Sequence, residues 1–531
     1  MKNKKVSHKT PVATTPDKNG KTGLRLPILP VLPLLFVCTV VWAGWYYGDV
    51  LRMARERSFW VMSTEQMDFL LGQEYGGLWY LGRLVLTTFR YPWFGAVILA
   101  LIVTVGTWCV GYAMRLTARW RFVQYVPAGG FFGWMAYEGI NLFYENETGM
   151  IFGIPLCAVM VLLIWSVLIA SFSRKKAPAL VSVPRDETVM QNWLQVAMLV
   201  VIFGGQALFV HYARPYTRVI AAQDVCMLNQ DWQGIIEVTR RNAELSHRPI
   251  AAKYAIALVE TEQICDRMYD IRLDYDSLYL HNSQGEHAMS LNLYQEDCDY
   301  YAGFVQACIH HAMERMTMIG PNIHSLELLT KCALLRGEWE VAEKYLRVLD
   351  DVPFEGGFVD KYALYVGDST RIEADPEFAM IRKLEPIHDS FENNYQQPTF
   401  MGYNLSLVEG RSQNALFNSL ACCIYTKVMP SFIIRTEPLQ GKTPPENVAD
   451  ALCLMTTKDP GILQRFANLD YRMSRLQKEV GVMRPYMNDR EGNARMLFER
   501  FKGYYPYYYF FGNLKATKKS DTKASSSAGV N

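Results

Sequence analysis

The sequence predicts an all-α protein in which an N-terminal bundle of about five transmembrane helices precedes a C-terminal α-helical, TPR-like (α-solenoid) soluble domain. Three observations support this fold: a charge split, five apolar stretches and a helical period after Pro215. Up to Ala213 the chain has 19 Lys+Arg and 11 Asp+Glu, whereas from Arg214 it has 35 and 41. This split is typical of a membrane part joined to a water-soluble part. Neither part concentrates basic residues, so we predict no nucleic-acid binding.

Five stretches are nearly free of charge over enough length to cross about 30 Å of hydrocarbon. They predict helices at residues 26–48, 91–114, 122–144, 148–173 and 188–213, within a transmembrane domain at 26–213. The third contains Glu138, interpreted either as a functional intramembrane acid or as a side chain that reaches the outer headgroups. Close helix packing is predicted at Gly129 and Gly133 and at Gly204-Gly205, either within the chain or at a homodimer seam.

The basic residues predict the orientation. The tail at residues 1–25 has one acid, Asp17, and seven basic residues (Lys2, Lys4, Lys5, Lys9, Lys18, Lys21 and Arg25). Two later connections are also basic, through Arg115, Arg119 and Arg121 and through Arg174, Lys175, Lys176 and Arg185. Since basic loops stay in the cytoplasm, five crossings predict a multi-pass bacterial inner-membrane protein with a cytoplasmic N-terminus and a periplasmic domain at 214–512.

The exported loop at residues 49–90 is too long for a simple turn. Its apolar residues recur at helical spacing, which predicts one or two amphipathic helices lying on the outer bilayer surface. Trp60, Trp79, Tyr80 and Trp93 are the predicted interfacial anchors.

The exported domain contains two segments that resemble the second helix of a tetratricopeptide unit. In the first, Gly337 makes the turn, and Trp339 and Ala342 let paired helices close up; Trp232 marks a weaker copy. Such stacks usually bind another polypeptide, so the predicted partners are the lipid bilayer and a protein. The aromatic run at 504–511 is interpreted as a sugar- or peptide-binding face or as a buried closing segment. Residues 513–531 are predicted to be disordered.

No metal or cofactor site is predicted. His310 and His311 are adjacent and point about 100° apart on a helix, and His310 with Glu314 lacks a third ligand. There is no Gly-rich phosphate loop, nucleophile elbow, kinase or metalloprotease signature. An oxidising compartment permits a disulfide, for which the sequence leaves two pairs open, Cys298–Cys308 and Cys226–Cys265.

The predicted function is therefore a protein-interaction or envelope-assembly scaffold, without catalytic residues. One enzymatic alternative remains, because multi-span lipid-linked glycosyltransferases place an acid just after their first helix. Asp49 occupies that position here and would be the catalytic residue. Four further acids follow in the same loop: Glu56, Glu65, Asp68 and Glu74. This similarity is one of arrangement only.

Three segments carry a family resemblance: Gly76–Arg83 running into Tyr91–Ala96, Leu335–Leu349, and the aromatic C-terminus. They resemble a group of uncharacterised Bacteroidales membrane proteins, the domain-of-unknown-function 6057 family, over nearly the whole chain. The resemblance implies a bacterial inner-membrane protein with a periplasmic helical domain. It brings no known activity or catalytic residue with it.

Overall fold

The computed structural model of the protein describes residues 30–114, 116, 118–144, 148–172, 185–245, 247–273, 295–385 and 412–512. All regular structure in these residues is helical, and they contain no β-strand. The predicted all-helical fold is therefore confirmed for this part of the chain. The predicted basic tail at 1–25 and the predicted disordered tail at 513–531 lie outside the described residues.

Three helices of the first part are long and apolar enough to cross a membrane: Pro92–Ala113, Gly149–Ile169 and Val189–Ala213. They correspond to the second, fourth and fifth predicted spans. A fourth crossing results if a pair of helices bent by 67°, Val31–Tyr46 and Gly48–Glu56, counts as one span. The helices are α1 (Val31–Val41), a π-helical turn (Trp42–Tyr46), α2 (Gly48–Glu56), α3 (Thr64–Leu71), α4 (Gly76–Thr87), α5 (Pro92–Ala113), α6 (Val126–Glu138), α7 (Asn141–Tyr144), α8 (Thr148–Phe172) and α9 (Arg185–Ala213).

The third predicted span, residues 122–144, is not one continuous helix. Its main helix, α6, has only 13 residues, about 20 Å at 1.5 Å per residue. A 3₁₀ segment precedes it, and Gly139, with φ of +58°, ends it. Glu138, the last residue of α6, is half-buried and accepts a hydrogen bond from Trp134 Nε1 at 2.9 Å. Judged by helix length, the described residues therefore contain fewer membrane-spanning helices than the five predicted.

The five segments nevertheless alternate in direction. α1 and α9 run parallel, because Val31 and Asn192 near their starts line one cavity. Further along, the Tyr46 hydroxyl donates to the Ala207 carbonyl oxygen at 3.3 Å.

α6 also runs parallel to α9. Immediately before α6, the Tyr125 hydroxyl donates to Gln195 Oε1 at 3.3 Å. Later in both helices, the rings of Phe132 and Phe203 are 5.2 Å apart.

α5 runs in the opposite direction. Pro92 at its start is beside Gly48, and Tyr112 near its end lines the same cavity as Val31. α8 follows the direction of α5, because its first turns contact α4 and its middle contacts the middle of α5. Thus α1, α6 and α9 point one way, and α5 and α8 the other.

The closest helix crossing lies outside the predicted glycine motifs. A Cβ added to Gly82 of α4 would lie 1.6 Å from the Gly149 carbonyl oxygen of α8, and one on Gly153 would lie 2.0 Å from the Leu78 carbonyl oxygen. Only glycine permits this approach of two backbones. Of the predicted positions, Gly129 approaches Ile202, whereas a Cβ on Gly133, Gly204 or Gly205 would meet no described atom within 4 Å.

The predicted surface helices of the loop at residues 49–90 do form, as α3 and α4, but the loop is not spread over a surface. Its segment 55–61 is buried. Phe59 and Val61 pack with residues of the helical domain (Ile323, Leu326, Leu349 and Val352). Trp60, a predicted lipid anchor, is 6% exposed and its ring is 5.5 Å from that of Tyr80. Protein therefore covers Trp60, whereas Trp93, another predicted anchor, is 56% exposed, and Trp79 and Tyr80 are half-buried.

The second part of the chain is helical between its undescribed segments. Its helices are α10 (Pro215–Leu228), α11 (Trp232–Arg241), α12 (Arg248–Glu260), α13 (Ile264–Arg267), α14 (Gln295–Tyr301), α15 (Val305–Ile319), α16 (Ile323–Arg336), α17 (Trp339–Asp350), α18 (Gly356–Ala363), α19 (Ser369–Ala374), α20 (Pro376–Leu384), α21 (Gln413–Thr426), α22 (Met429–Arg435), α23 (Glu446–Met455), α24 (Ile462–Arg465), α25 (Asp470–Met483), α26 (Arg490–Phe501) and α27 (Tyr505–Phe511).

Both predicted helix pairs form, as α16–α17 and α10–α11. Gly337 ends α16 in the left-handed region, with φ of +71°, where glycine carries no Cβ penalty. Ala342 of α17 is fully buried, and half-buried Trp339 packs on the same core. Trp232, at the start of α11, contacts the Tyr301 ring edge-on at 5.0 Å. These are local pairs, and α12 to α15 separate them without repeating the motif.

Of the two interpretations of the aromatic run at 504–511, the structure supports the buried closing segment. Tyr505 and Tyr508 of α27 belong to the main core of the helical domain, and their hydroxyls donate to carbonyl oxygens of α21 at 3.0 Å. All eleven cysteines are free, so neither predicted disulfide is present. The sulfurs of Cys308 and Cys332 approach each other instead, to 3.6 Å.

Candidate ligand-binding site

Two arginines of the loop at residues 49–90 are buried against the helices that follow residue 214. Arg55 is 0% exposed and forms ion pairs with Glu56 and with Glu355, which precedes α18. Arg57 forms ion pairs with Glu296 and, at 3.5 Å, with Asp297 Oδ2 of α14. Isolated buried charges are costly, so these pairs fix the loop against the helical domain.

α14 and α16 complete this network. Glu296 also accepts hydrogen bonds from Arg315 Nη1 at 2.7 Å and Ser325 Oγ at 2.9 Å. His324 Nε2 lies 2.7 Å from Asp297 Oδ1. Burial acts to raise the pKa of both carboxyl groups. Neighbouring groups, Arg315 first for Glu296 and the hydrogen-bonded His324 first for Asp297, outweigh it and hold both pKa values below their usual range.

Ligand atoms of Glu296, Asp297 and His324 lie within 4.8 Å of one another, a spacing that a metal ion would also accept. However, the two carboxylates already face two buried guanidinium groups, those of Arg57 and Arg315. A divalent cation would add two charges to a balanced group and compete with both arginines. The arrangement suits an ionic network better than a metal centre.

Beside this network is a cavity of about 310 Å³ between α2, α10, α14, α16 and α18. Such a volume is at the lower end of the range for small-molecule sites. We call its buried polar residues the inner wall: Glu56, Asp224, Asp297, Tyr301, His324 and Tyr362. We call its half-buried or exposed residues of α2, α18 and the connecting segments the rim: Arg52, Arg90, Asn229, Gln230, Gly357 and Lys361.

Three inner-wall side chains have a buried polar atom without a hydrogen-bond partner, and for one of them, Asp297, that atom lies 3.5 Å from Arg57 Nη2. Asp224 is 3% exposed and pairs with Lys253, but its Oδ2 has no hydrogen-bond partner. His324 is 7% exposed, and its Nδ1 has no partner either. Leaving a buried polar atom unpaired costs roughly 1–3 kcal/mol. Both residues line the cavity, so a ligand there could satisfy both atoms.

The charges of the cavity are paired except one. Arg90 contacts Glu56 at 3.4 Å, and Lys331 contacts Glu377 at 2.9 Å. Arg52 of the rim donates to the Asn229 side-chain oxygen at 3.4 Å, has a buried Nε without a partner, and forms no ion pair with a described carboxylate. Arg52 is therefore the rim cation that has no ion pair within 4 Å among the described residues, although Asp49 and Glu56 interact with its charge at longer range.

A further carboxyl group in the lining, that of Glu327, has a shifted pKa. Burial raises the pKa of Glu327 well above its usual value, and the nearby acids Glu56 and Glu355 raise it further. The shift favours the protonated form, in which a carboxyl group donates a hydrogen bond as well as accepting one.

The acids proposed for an enzymatic site are not brought together. Asp49 is exposed in the first turn of α2 and does not line the cavity. Glu65, Asp68 and Glu74 are exposed in and after α3. Only Glu56 of this set lines the cavity, one helix turn beyond Arg52.

The other sequence candidates lie apart from the cavity. His310 Nε2 and Glu314 Oε2 are 3.8 Å apart on the exposed side of α15, whereas neighbouring His311 bonds Asp299. Asp224, Asp297 and His324 were not among the residues predicted from the sequence. The one signal that the sequence contains for them is the acidic segment 296–299, which has three carboxylates in four residues and is equally typical of an exposed helix start.

A family model described as a family of unknown function, DUF6057, matches residues 133–512. The chain belongs to this family. No curated protein and no solved structure matches the chain. The DUF6057 match contains the inner-wall residues from α10 onward, whereas Arg52, Glu56 and Arg90 precede it. The cavity is thus lined both by residues within the family match and by residues of the segment 52–90 that precedes it.

Proposed function

We propose that this DUF6057 protein is a multi-pass bacterial inner-membrane protein whose exported helical domain binds a polar ligand in the cavity beside the membrane helices. The observation that carries the proposal is the pair of buried, unpartnered atoms, Asp224 Oδ2 and His324 Nδ1, in a cavity whose rim has an unpaired arginine. Binding, not catalysis, is proposed, because the cavity's ionised acids are held in ion pairs and Asp49 is outside it.

The protein-interaction scaffold predicted from the helix pairs is compatible with this role and stays a prediction. In such a scaffold, the buried loop would hold the domain in one orientation relative to the membrane helices. The glycosyltransferase-like alternative also stays a prediction, and it requires Asp49 to act from an exposed position on α2.

The exported location is supported by the alternating directions of α1, α5, α6, α8 and α9 and by the basic segments, which adjoin one end of these helices in the sequence. We expect alkaline phosphatase fused after Arg214 to be active and the same enzyme fused after Lys176 to be inactive. Immunoblots of both fusions control for their abundance. Activity at both positions, or the reverse pattern, would exclude this topology.

Ligand binding is tested with two matched substitutions of aspartate, Asp224→Asn in the inner wall and Asp49→Asn outside the cavity. We expect native mass spectrometry of the full-length protein, extracted from its own membranes, to show a bound small molecule that is lost in Asp224→Asn and retained in Asp49→Asn. The physical reason is that an amide removes the unused anionic oxygen of Asp224 but leaves the side-chain volume nearly unchanged.

A steric variant covers the case in which Asp224→Asn does not fold. A Cβ at Gly357 would meet no atom within 4 Å, so Gly357→Trp adds bulk at the rim without a collision at its first atom. It should also remove the bound molecule. A wild-type spectrum without any adduct, or an adduct unaffected by both cavity variants, contradicts the proposed function. Loss of the adduct in Asp49→Asn alone favours the enzymatic alternative.

A further inference from the structure

The chemistry of the lining identifies the class of ligand, if the cavity binds one as proposed above. We propose that this ligand is a phosphorylated polyol, a phosphate ester whose carbon skeleton carries hydroxyl groups. Its phosphate would lie at the rim and its hydroxyl groups against the inner wall.

The rim provides the anion site. Arg52, Arg90 and Lys361 all line the same cavity. Arg90 and Lys361 already have carboxylate partners within 4 Å, Lys361 with Asp375 at 3.9 Å, whereas Arg52 donates to Asn229 and interacts with Asp49 and Glu56 only at longer range. A planar guanidinium matches two phosphate oxygens, and the two other cations add long-range attraction.

The inner wall provides acceptors for hydroxyl groups. Asp224 Oδ2 accepts only, and His324 Nδ1 accepts or donates according to its tautomer. A second phosphate at this depth would face Asp224 and Asp297, which repel it. A hydroxyl group donates to these carboxylates without adding charge. The inner wall therefore discriminates against diphosphates and favours an uncharged, hydroxylated end of the ligand.

Two simpler ligands fit less well. A metal or an amine would be attracted to the acids, but it would leave Arg52 unpaired and add to the positive charge of the rim. A neutral sugar would satisfy the inner wall and contribute its apolar faces to Tyr301 and Tyr362, but it would not engage Arg52 either. A phosphate ester of a polyol would pair its phosphate with Arg52 at the rim and donate hydroxyl hydrogen bonds to the inner wall.

The position of the rim allows two sources for this chemistry. Arg52 is in α2, which follows the first apolar helix, and Arg90 is two residues before α5. Both arginines are thus next to helices of the membrane bundle. A headgroup of a membrane lipid and a soluble phosphate ester would both reach the cavity.

The experiment uses the full-length protein and two probes. In detergent, binding of sn-glycerol 3-phosphate is measured by isothermal titration calorimetry, with glycerol as the uncharged comparison. In nanodiscs, retention of phosphatidylglycerol against phosphatidylcholine is measured by native mass spectrometry. We expect at least one phosphate probe to bind, and Arg52→Gln to weaken that binding by about tenfold or more.

Arg218→Gln is the matched control. Arg218 is exposed in α10, stacks on Tyr46 at 4.0 Å, and does not line the cavity. Size-exclusion chromatography confirms that each variant is folded, and Arg52→Lys, which keeps the charge, should restore part of the affinity. Binding of sn-glycerol 3-phosphate supports a soluble ligand; binding of phosphatidylglycerol alone supports a lipid headgroup.

The proposal fails if neither phosphate probe binds, or if Arg52→Gln and Arg218→Gln weaken binding equally. These results leave the proposed function standing whenever the wild-type protein still carries an adduct that Asp224→Asn removes. Such an adduct would have another chemistry. Absence of both probe binding and any adduct would reject the ligand class and the proposed function together.

Discussion

Arg57→Met is expected to reduce the free energy of unfolding of the helical domain by roughly 3–5 kcal/mol, because removing one partner of a buried ion pair leaves the other charge uncompensated. Here the partners are Glu296 and Asp297, both at most 2% exposed. Thermal unfolding of the full-length protein in detergent, followed by circular dichroism, measures the loss.

Two comparisons separate this effect from a general loss of surface charge. Arg240→Met removes a half-exposed pair with Asp270, 3.5 Å long, and should cost no more than about 1 kcal/mol. Adding Glu296→Gln to Arg57→Met restores the charge balance with Arg315 and Asp297 and should recover part of the loss. Equal destabilisation by Arg57→Met and Arg240→Met, or no recovery in the double variant, would show that the buried network does not stabilise the junction.

The second large effect is expected at the crossing of α4 and α8. Gly82→Ala places a methyl group 1.6 Å from the Gly149 carbonyl oxygen, and backbone cannot move aside as a flexible side chain does. Overpacking usually costs about 1–3 kcal/mol; we expect a loss at the upper end of this range or beyond, because two helices must separate. Fluorescence-detected size-exclusion chromatography measures the yield of folded protein, and heating before the column gives its stability.

Gly77→Ala is the control for that substitution, since it is in the same helix and its nearest new contact is an ordinary one, 3.9 Å from a Leu71 methyl group. It should leave the folded yield unchanged. If Gly82→Ala behaves like Gly77→Ala, the close crossing is not part of the folded protein.

The sequence predicted those helices that can be recognised from the composition of their own residues. α5, α8 and α9 have long apolar runs, and the turn at Gly337 has a glycine where a left-handed residue is needed. The segments 26–48 and 122–144 were harder, because mean hydropathy does not register the π-helical turn at Trp42–Tyr46 or the break at Gly139. Composition predicts that an apolar segment avoids water, but it does not predict at which residue the helix in that segment ends.

The candidate site was beyond the sequence for a different reason. Arg57 and Glu296 are 239 residues apart, and each alone is typical of a solvated surface. An amphipathic loop likewise predicts that one face is covered, but not whether lipid or protein covers it; for Phe59 and Val61 the cover is protein. Residues 214–512 thus receive part of their core from the loop that contains Phe59 and Val61.

Because Arg57 and Glu296 are far apart in the sequence, the two partners of this buried ion pair are also synthesised at different times. Synthesis adds about 5–20 residues per second, so the 239 residues between Arg57 and Glu296 take on the order of ten to fifty seconds to appear. During that interval the loop bearing Arg57 has already left the ribosome, while its partners do not yet exist. Proteases and chaperones can therefore bind this loop until α14 has been synthesised and has docked against it.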